Sequence, residues 1–280
     1  MELTFCYAPE VDSTNNRLKE AAETGATEGT VFSAGRQTAG RGRSGHTWES
    51  PRNESVSTSI LLYPTELSVE ETALLTPLAA LAVADAIEEL YRIPAQIKWV
   101  NDVLLFQKKV SGILAEQIWM RDGRRAVIIG IGINVHQQKF PGEIAGMATS
   151  IDLALSMREN DGRKVKPAWD GQEDHFPKSG EICRAKKGSR KELTEQLWKD
   201  FIRYYEAFGK EKNLSFVRDA YNARLINRGK RCRVLDPKGA YDGTAGDIDD
   251  HGRLWIRLDD GTMRAVDFGE VSVRGIYGYV

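Results

Sequence analysis

A glycine- and arginine-rich stretch, GRQTAGRGRSGHTW over residues 35–48, carries the residue types that bind anions. The guanidinium groups of Arg41 and Arg43 present rigid forks of donors that match a phosphate or a carboxylate, and glycines let the backbone approach a ligand closely. An isolated stretch of this composition is more typical of a flexible linker or a weak nucleic-acid-binding patch. Here it joins two predicted strands and ends at Trp48, which favours a loop that closes over an anion attached to a planar ring.

Two further stretches, KWVND over residues 98–102 and KKVSGILAE over residues 108–116, combine lysines with short polar side chains. A lysine between apolar strands often only extends its ammonium group to solvent, and an Asn-Asp pair often only forms a turn. At the ends of adjacent predicted strands, the two stretches together offer a cation for a phosphate and polar groups for a metal or a hydroxyl. The chemistry they indicate is centred on phosphate and depends on positioning.

The spacing of residues excludes other kinds of site. VIIGIGINV lacks the third glycine of a dinucleotide-binding fingerprint and lies within a predicted strand, and no Gly-Lys-Ser/Thr follows the glycine-rich loop as in a P-loop. Ser13 and Ser111 lack the G-x-S-x-G context of a serine nucleophile. No protein-held metal is predicted, because the four histidines show no ligand spacing; they are His46, His136, His175 and His251.

Hydrophobic periodicity predicts the elements that position these stretches. A short helix is expected over residues 12–25, strands over 30–34 and 55–63, a main core helix over 68–91 and an amphipathic helix over 190–209. The β-rich segments between residues 95 and 135 predict an antiparallel meander. Residues 157–189 are polar and aperiodic, which predicts a surface insertion, and the short strands beyond residue 227 predict a small β-barrel.

Composition indicates an ordinary globular protein with two domains. The 280 residues are 41% hydrophobic and 28% charged, and the net charge of −1 argues against a general polyanion binder. Cys6, Cys183 and Cys232 form no paired motif and predict reduced thiols. The sequence shows no signal-like segment and no apolar run of the roughly 18 residues that a membrane span needs. A cytoplasmic location without membrane contact is therefore expected.

Taken in order, the motifs DSTN, GRQTAGRGRSGHTW, KWVND, KVSGILAE, IGIGINV and DFGEVSVRG resemble those of the biotin protein ligase family. The resemblance implies an α+β fold. Its catalytic domain would be a mixed, largely antiparallel sheet flanked by helices, similar to class II synthetases, over residues 1–225 with the insertion at 157–189. A small Src-homology-like β-barrel would follow over residues 226–280.

The family joins biotin to ATP as biotinyl-AMP and transfers the biotinyl group to one lysine of a biotin carboxyl carrier domain, with Mg²⁺ accompanying ATP. Carried over motif by motif, the resemblance implies a biotin pocket, a nucleotide site and three catalytic residues. The pocket residues are Ser13, Thr14, Asn15, Gln37, Arg41, Gly42, Arg43, Lys109 and Gly112; the ATP residues are Arg41, Arg43, Trp48, Asn101, Lys109 and Asn134; the catalytic residues are Lys109, Arg43 and Asp102. The glycine-arginine loop is expected to order over the adenylate.

Two alternatives to this function stay open, namely a lipoate or octanoate ligase or transferase of the same fold and a non-catalytic biotin-binding regulator. Some family members carry an N-terminal winged helix and repress transcription. Because the DSTN motif begins at Asp12, we expect a short form without that domain and no nucleic-acid partner. Whether the chain forms a homodimer through its sheet edge is left open.

Overall fold

A seven-stranded sheet forms the larger part of the molecule. The structure, a computed structural model, describes residues 1–49, 51–160, 188–236, 239–268 and 272–275. The strand order is β1-β2-β3-β7-β6-β5-β4, and every pairing is antiparallel except that of β1 with β2. The strands are β1 (Thr4–Ala8), β2 (Thr30–Ala34), β3 (Ser55–Leu62), β4 (Gln96–Lys98), β5 (Asp102–Leu105), β6 (Lys108–Trp119) and β7 (Arg125–Asn134). The predicted meander is confirmed.

Six helices accompany the sheet in the described part of the chain: α1 (Thr14–Glu23), α2 (Val69–Ala73), α3 (Leu75–Tyr91), α4 (Ile151–Asn160), α5 (Arg190–Glu211) and α6 (Arg218–Arg224). None of them is long and apolar enough to cross a membrane. The short helix near the N-terminus and the amphipathic helix from residue 190 are confirmed, whereas α4 and α6 were not predicted.

The prediction of one core helix over residues 68–91 is wrong in one respect. The observed helix divides at Leu74 into α2 and α3. Ser68 begins α2 with a capping box to Glu71, as the acidic first turn indicated. Pro77 has no N–H group to donate to the carbonyl of Ala73, and the amide of Leu74 donates to Glu71 in a tighter turn instead. The break therefore follows from a proline inside the apolar pattern.

The two faces of the large sheet are covered differently. Helices α3 and α5 pack on one face and bury the main core, which includes Leu78, Ile131 and Trp198. Helix α1 lies on the other face, where Leu18 packs with Ile128. Because α1 is only ten residues long, it covers one end of that face and leaves the remainder to the glycine-arginine loop. The candidate site lies there.

A second sheet of five strands forms the C-terminal part, in the order β11-β10-β9-β8-β12. Its strands are β8 (Arg231–Leu235), β9 (Tyr241–Ile248), β10 (Leu254–Arg257), β11 (Met263–Val266) and β12 (Ser272–Gly275). Within the described residues, β11 and β12 are edges, so the predicted barrel is an open sheet there. The separate all-β domain is confirmed, and a boundary between residues 225 and 226 remains a prediction.

The predicted insertion at residues 157–189 begins within α4, which continues to Asn160. Residues 161–187, including His175 and Cys183, lie outside the described residues.

Candidate active site

One row of residues crosses six strands on the α1 face of the large sheet. Residues directly opposite each other in an antiparallel sheet present their side chains on the same face. With strands about 4.8 Å apart, the row is about 24 Å long. From β2 to β4 the row consists of Ala34, Ser57, Gly132, Gly112, Asp102 and Lys98. Small and hydroxyl-bearing residues thus occupy one end, two glycines the middle and charged residues the other end.

Hydroxyl and amide groups converge at the first end, where α1 begins over β3. The side chain of Gln37 accepts hydrogen bonds from the backbone N–H of Thr14 at 2.8 Å and from its hydroxyl at 3.1 Å. The Thr14 hydroxyl also lies 2.6 Å from Ser59 Oγ, which donates to Asn15 Oδ1 at 2.6 Å. Thr14, Asn15 and Ser59 are buried, and Ser13, the residue before α1, is buried beside them.

Glu116 on β6 joins this end to the glycine-arginine loop. Its carboxylate accepts from Asn15 Nδ2 at 2.7 Å, Lys19 Nζ at 2.8 Å and Arg41 Nη2 at 3.1 Å. Burial alone would raise the pKa of Glu116, but the hydrogen bonds from Lys19 and Asn15 and the charge of Arg41 hold that pKa below its ordinary value. Arg41 also donates to Asn16 at 2.8 Å. Its guanidinium group is therefore attached to α1 and β6.

Trp48 covers the glycines in the middle of the row. A Cβ atom on Gly132 would lie 2.3 Å from the indole, and one on Gly112 would lie 3.2 Å from both the indole and the end of Lys109. The ring therefore rests on glycine backbone, and at position 132 any side chain would push it away. Its Nε1 atom is buried and has no hydrogen-bond partner among the described residues. The indole separates the hydroxyl end from the charged end.

The charged end gathers cations around one carboxylate. Lys109 Nζ lies 2.7 Å from Asp102 Oδ1 and 5.7 Å from the centre of the Trp48 ring. Lys98 is 7% exposed, and burial lowers its pKa to about 8, although Asp102 acts in the opposite direction. Arg43 donates to Asn101 Oδ1 at 3.0 Å, and burial lowers its pKa against the opposing charge of Asp102.

Short-range hydrogen bonds fold the glycine-arginine loop back on itself. The N–H of Gly42 donates to the carbonyl of His46 at 2.7 Å, and that of Trp48 donates to Gly40 at 3.0 Å. A single 3₁₀ turn, Arg43–Gly45, forms the tip. A Cβ atom on Gly40 would lie 2.3 Å from the Trp48 carbonyl, so glycine is required where the two arms meet. In this conformation Arg41 binds Glu116 and Asn16, whereas Arg43 binds Asn101.

A cleft of about 870 Å³ opens beside the row, along the part of β6 that extends past β5. Loop residues 40–43 and 45–47 line it, together with residues of α2 and α3. Val100 and Phe268 also line it, so the C-terminal domain contributes Phe268 to the cleft.

Asn134 lies at the end of β7, two residues past Gly132 on the same face. Its Nδ2 donates to the carbonyl of Thr149 at 3.0 Å, and the N–H of Thr149 donates to the carbonyl of Lys109 at 2.9 Å. Through these two hydrogen bonds, the backbone of Thr149 links Asn134 to Lys109.

The structure brings the residues singled out from the sequence to one face of the sheet, but in two groups. The hydroxyl-end group is Ser13, Thr14, Asn15, Gln37 and Arg41; the charged-end group is Arg43, Trp48, Asn101, Asp102, Lys109, Gly112 and Asn134. Gly42 takes part through its backbone in the loop. No group of three or more metal-binding side chains occurs within the described ranges.

Sequence reasoning did not assign roles to Glu116 or Ser59, and it considered Lys98 only as the lysine of KWVND, a stretch that could offer a cation for a phosphate. Alternation along β6 was an available signal for Glu116, since a carboxylate on the face shared with Gly112 must have partners. Ser59 carried no comparable signal, because its partners Thr14 and Asn15 come from a distant part of the chain.

Two family models match the chain. The biotin/lipoate A/B protein ligase family matches residues 7–134, and the biotin protein ligase C terminal domain matches residues 229–274. The first covers the strands and the loop of the site, and the second covers the five-stranded sheet.

Individual proteins and structures agree with these matches. The bifunctional ligase/repressor BirA of Bacillus subtilis is 34% identical over 92% of this chain and 70% of its own length. The biotin–acetyl-CoA-carboxylase ligase of Mycobacterium tuberculosis is 32% identical over 92% of this chain and 85% of its own length. Among solved structures, the biotin protein ligase from Aquifex aeolicus in complex with biotin and ATP superposes with a TM-score of 0.74 and 31% identity, covering 97% of this chain and 99% of that chain.

Proposed function

The chain belongs to the biotin protein ligase family and is thus a ligase, and we propose that it activates biotin with ATP as biotinyl-AMP and transfers the biotinyl group to a lysine of a biotin carboxyl carrier domain. The main support for the proposal is that the two ends of the row carry different kinds of side chain. Hydroxyl and amide groups lie at one end, cations lie at the other, and the distance between them suits an extended acyl-adenylate.

Biotin would bind with its ureido ring at the hydroxyl end. The ring has two N–H donors and one carbonyl acceptor, and the groups of Thr14, Asn15, Gln37 and Ser59 are donors and acceptors in a buried setting. The apolar chain of biotin would then run over the glycines beside Trp48. Its carboxylate would face Lys109 and Arg43.

Adenylation at the charged end needs no protein nucleophile. A carboxylate oxygen of biotin attacks the α-phosphorus of ATP, a P–O–C(O) bond forms, and pyrophosphate leaves with the electron pair of the broken P–O bond. The two reactants are both anions, so the protein must hold them together and neutralise the charge that develops. Lys109, Arg43 and Lys98 would supply that positive charge, and Asn101 would hold Arg43 in place.

The adenosine would occupy the cleft along β6, between the glycine-arginine loop and α2. Arg41 and Glu116 would hold the loop at the biotin end, and Arg43 would hold it at the phosphate end. Closed in this way, the loop would shield the reactive mixed anhydride from water.

In the transfer step the neutral amine of the acceptor lysine attacks the acyl carbon, and AMP leaves. Asp102 would orient that amine and accept its proton. Lys109, 2.7 Å from Asp102, would balance the carboxylate charge before the acceptor enters.

Mg²⁺ would arrive with the phosphates of ATP. It typically keeps several waters and uses one or two carboxylates together with substrate phosphates. Asp102 is the carboxylate present at the charged end, and the amide of Asn134 lies on the same face of the sheet. These residues fit an ion held mainly by the phosphates of ATP better than an ion held by protein ligands alone. Bound there, it would neutralise phosphate charge.

A lipoate ligase is the nearest competing function, since the first family model covers biotin and lipoate enzymes alike. The match to the biotin protein ligase C terminal domain favours biotin. The test is to incubate the chain with ATP, a biotin carboxyl carrier domain and either biotin or lipoate, and to weigh the carrier by mass spectrometry. A biotinylated carrier that appears only with both biotin and ATP supports the proposal. A lipoylated carrier, or an unmodified one, contradicts it.

A further inference from the structure

Trp99 directly follows Lys98, the last member of the row, at the charged end of the site. It is placed between Lys98, which ends β4, and Asn101 and Asp102, which precede and begin β5. Its side chain is buried, with 5% of its surface exposed. The contacts that bury it come from the C-terminal part of the chain.

Three separate contacts fix Trp99 to that part of the molecule. Its backbone N–H donates to Asn227 Oδ1 at 2.8 Å, its indole N–H donates to the carbonyl of Gly252 at 3.0 Å, and its ring centre lies 5.9 Å from that of Phe268. Residue 252 must be glycine, because its φ is +70° and a Cβ atom would lie 2.5 Å from the Phe268 ring. The turn before β10 is thus shaped to receive the indole.

Neighbouring contacts link the same two parts of the molecule. The N–H of Ile226 donates to the carbonyl of Ile97 at 2.9 Å, immediately beside Lys98. The charge of Arg274 on β12 contributes to the lowered pKa of Lys98. Phe268, whose ring lies against that of Trp99, also lines the cleft together with Val100. The C-terminal domain therefore lies against the segment that carries Lys98 and Trp99.

From these contacts we infer that Trp99 is a positioning residue through which the C-terminal domain holds Lys98, Asn101 and Asp102 in register with Lys109. This inference rests on the proposed function. The biotin pocket is built on α1, β3 and the loop, none of which contacts Trp99 in the hydrogen bonds or ring contacts described above. Disturbing Trp99 should therefore affect the nucleotide step and leave biotin binding unchanged.

The test compares Trp99→Phe with Trp198→Phe. The first change keeps an aromatic ring but removes the donor to Gly252, while the second removes an equally buried donor, 2.9 Å from Thr58 Oγ1, in the core beneath the sheet. Biotinyl-AMP formation is measured by pyrophosphate release at varied ATP and varied biotin. Biotin affinity is measured by calorimetry, and stability by urea unfolding.

For Trp99→Phe we expect kcat to fall between about tenfold and a hundredfold, because small misplacements at a reacting centre have effects of this size. The KM for ATP should rise, while the dissociation constant for biotin should stay at the wild-type value. Trp198→Phe should lose comparable stability with normal kcat and KM values. Asn227→Ala, which removes the other hydrogen bond to Trp99, should reproduce the Trp99→Phe pattern and serves if Trp99→Phe does not fold.

Equal kinetics in Trp99→Phe and Trp198→Phe would overturn the inference, as would a parallel loss of biotin affinity. Asn227→Ala with wild-type kinetics would also count against it. A wild-type chain that forms no biotinyl-AMP would overturn the proposed function and this inference together, so the two failures are distinguishable.

Discussion

Lys109 is the residue on which we propose that the adenylation step depends most. It is ion-paired with Asp102, rests over Gly112 and borders Trp48, so its ammonium group lies where the row changes from apolar to charged. Replacing it with methionine keeps most of the side-chain volume but removes a charge from the transition state. We expect Lys109→Met to lower kcat for pyrophosphate release on the order of a hundredfold to a thousandfold, by analogy with the loss of an oxyanion donor.

Lys108→Met is the matched control, because it removes a charge from the adjacent position of β6, which points to the opposite face. It should leave kcat near the wild-type value. A Lys109→Met variant as active as Lys108→Met would show that the charge of Lys109 is not needed.

Lys98 gives the site a predictable pH dependence. Its pKa of about 8 means that it is charged below that pH and neutral above it. We expect kcat/KM for ATP, measured at saturating biotin, to decline above about pH 8, because this parameter follows the ionisation of the free enzyme. In Lys98→Arg the decline should disappear, since arginine stays charged. A decline that persists unchanged in Lys98→Arg would assign it to another group.

The same ionisation affects stability with a definite sign. The pKa of Lys98 in the folded chain lies below the ordinary lysine value of 10.5, so the unfolded chain holds more protons between about pH 8 and pH 10.5. The contribution of Lys98 to the free energy of unfolding is therefore least favourable below pH 8 and improves as the pH rises through that range.

At the scale of single residues, sequence motifs predicted which side chains would meet at the charged end. Asn101, Asp102 and Lys109 lie on adjacent strands of a hairpin, so local pairing brings them together. Glu116 acquires its role from partners on α1 and the loop. Partners this far apart in the chain cannot be predicted from the spacing of neighbouring residues.

Among the elements, the paired glycines of β6 and β7 determine where Trp48 lies. Gly132→Ala would place a methyl group 2.3 Å from the indole, so the ring must leave the row. We expect raised KM values for ATP and biotin with little loss of stability. Gly112→Ala should have a smaller effect, because its neighbours lie 3.2 Å away and one of them is the flexible end of Lys109.

Gly209→Ala is the control for the glycine series. A Cβ atom there meets nothing within 4 Å, and the position lies within α5. This change should leave the KM values unaltered and stabilise the chain by about 0.5–1 kcal/mol. Unchanged KM values in Gly132→Ala would mean that the position of the Trp48 ring does not affect substrate binding.

Glu116 attaches the glycine-arginine loop to β6 through Arg41. Glu116→Gln would leave Arg41 and Lys19 without their counter-charge, at a cost of about 1 kcal/mol for the half-buried network. We expect bound biotinyl-AMP to escape about fivefold faster, since 1.4 kcal/mol corresponds to tenfold. The measurement is release of preformed biotinyl-AMP on rapid gel filtration or by stopped flow.

Glu20→Gln is the matched control, because Glu20 lies on the exposed side of α1 and pairs with Arg17. It should retain the intermediate as the wild type does. Equal release from Glu116→Gln and the wild type would show that Arg41 does not hold the loop closed.

Prediction of the elements succeeded where one period dominates the sequence. Residues 30–34 match β2 at both ends, since apolar and β-branched residues occupy nearly all of it. The core helix was predicted as one because its apolar spacing continues across Leu74, and only the missing N–H of Pro77 interrupts it. Helix α6 is seven residues long, and its burial comes from α6 packing on β4 and β9, which local periodicity does not report.

For the whole molecule, motif order predicted the α+β class and the two sheets, but not how the sheets cooperate. The contacts of Trp99 with Asn227 and Gly252 join residues 128 and 153 positions apart, and nothing in either local pattern indicates them. The C-terminal sheet was expected as an appended module. In the structure it lies against the segment that carries Lys98 and Asp102.

We propose that the row from Ala34 to Lys98 holds biotinyl-AMP in one direction. A crystal structure of the chain grown with biotin and ATP would test this directly. We expect the ureido ring beside Thr14 and Gln37 and the phosphate beside Lys109 and Arg43. An acyl-adenylate bound in the reverse direction, or away from the Gly112–Gly132 pair, would contradict it.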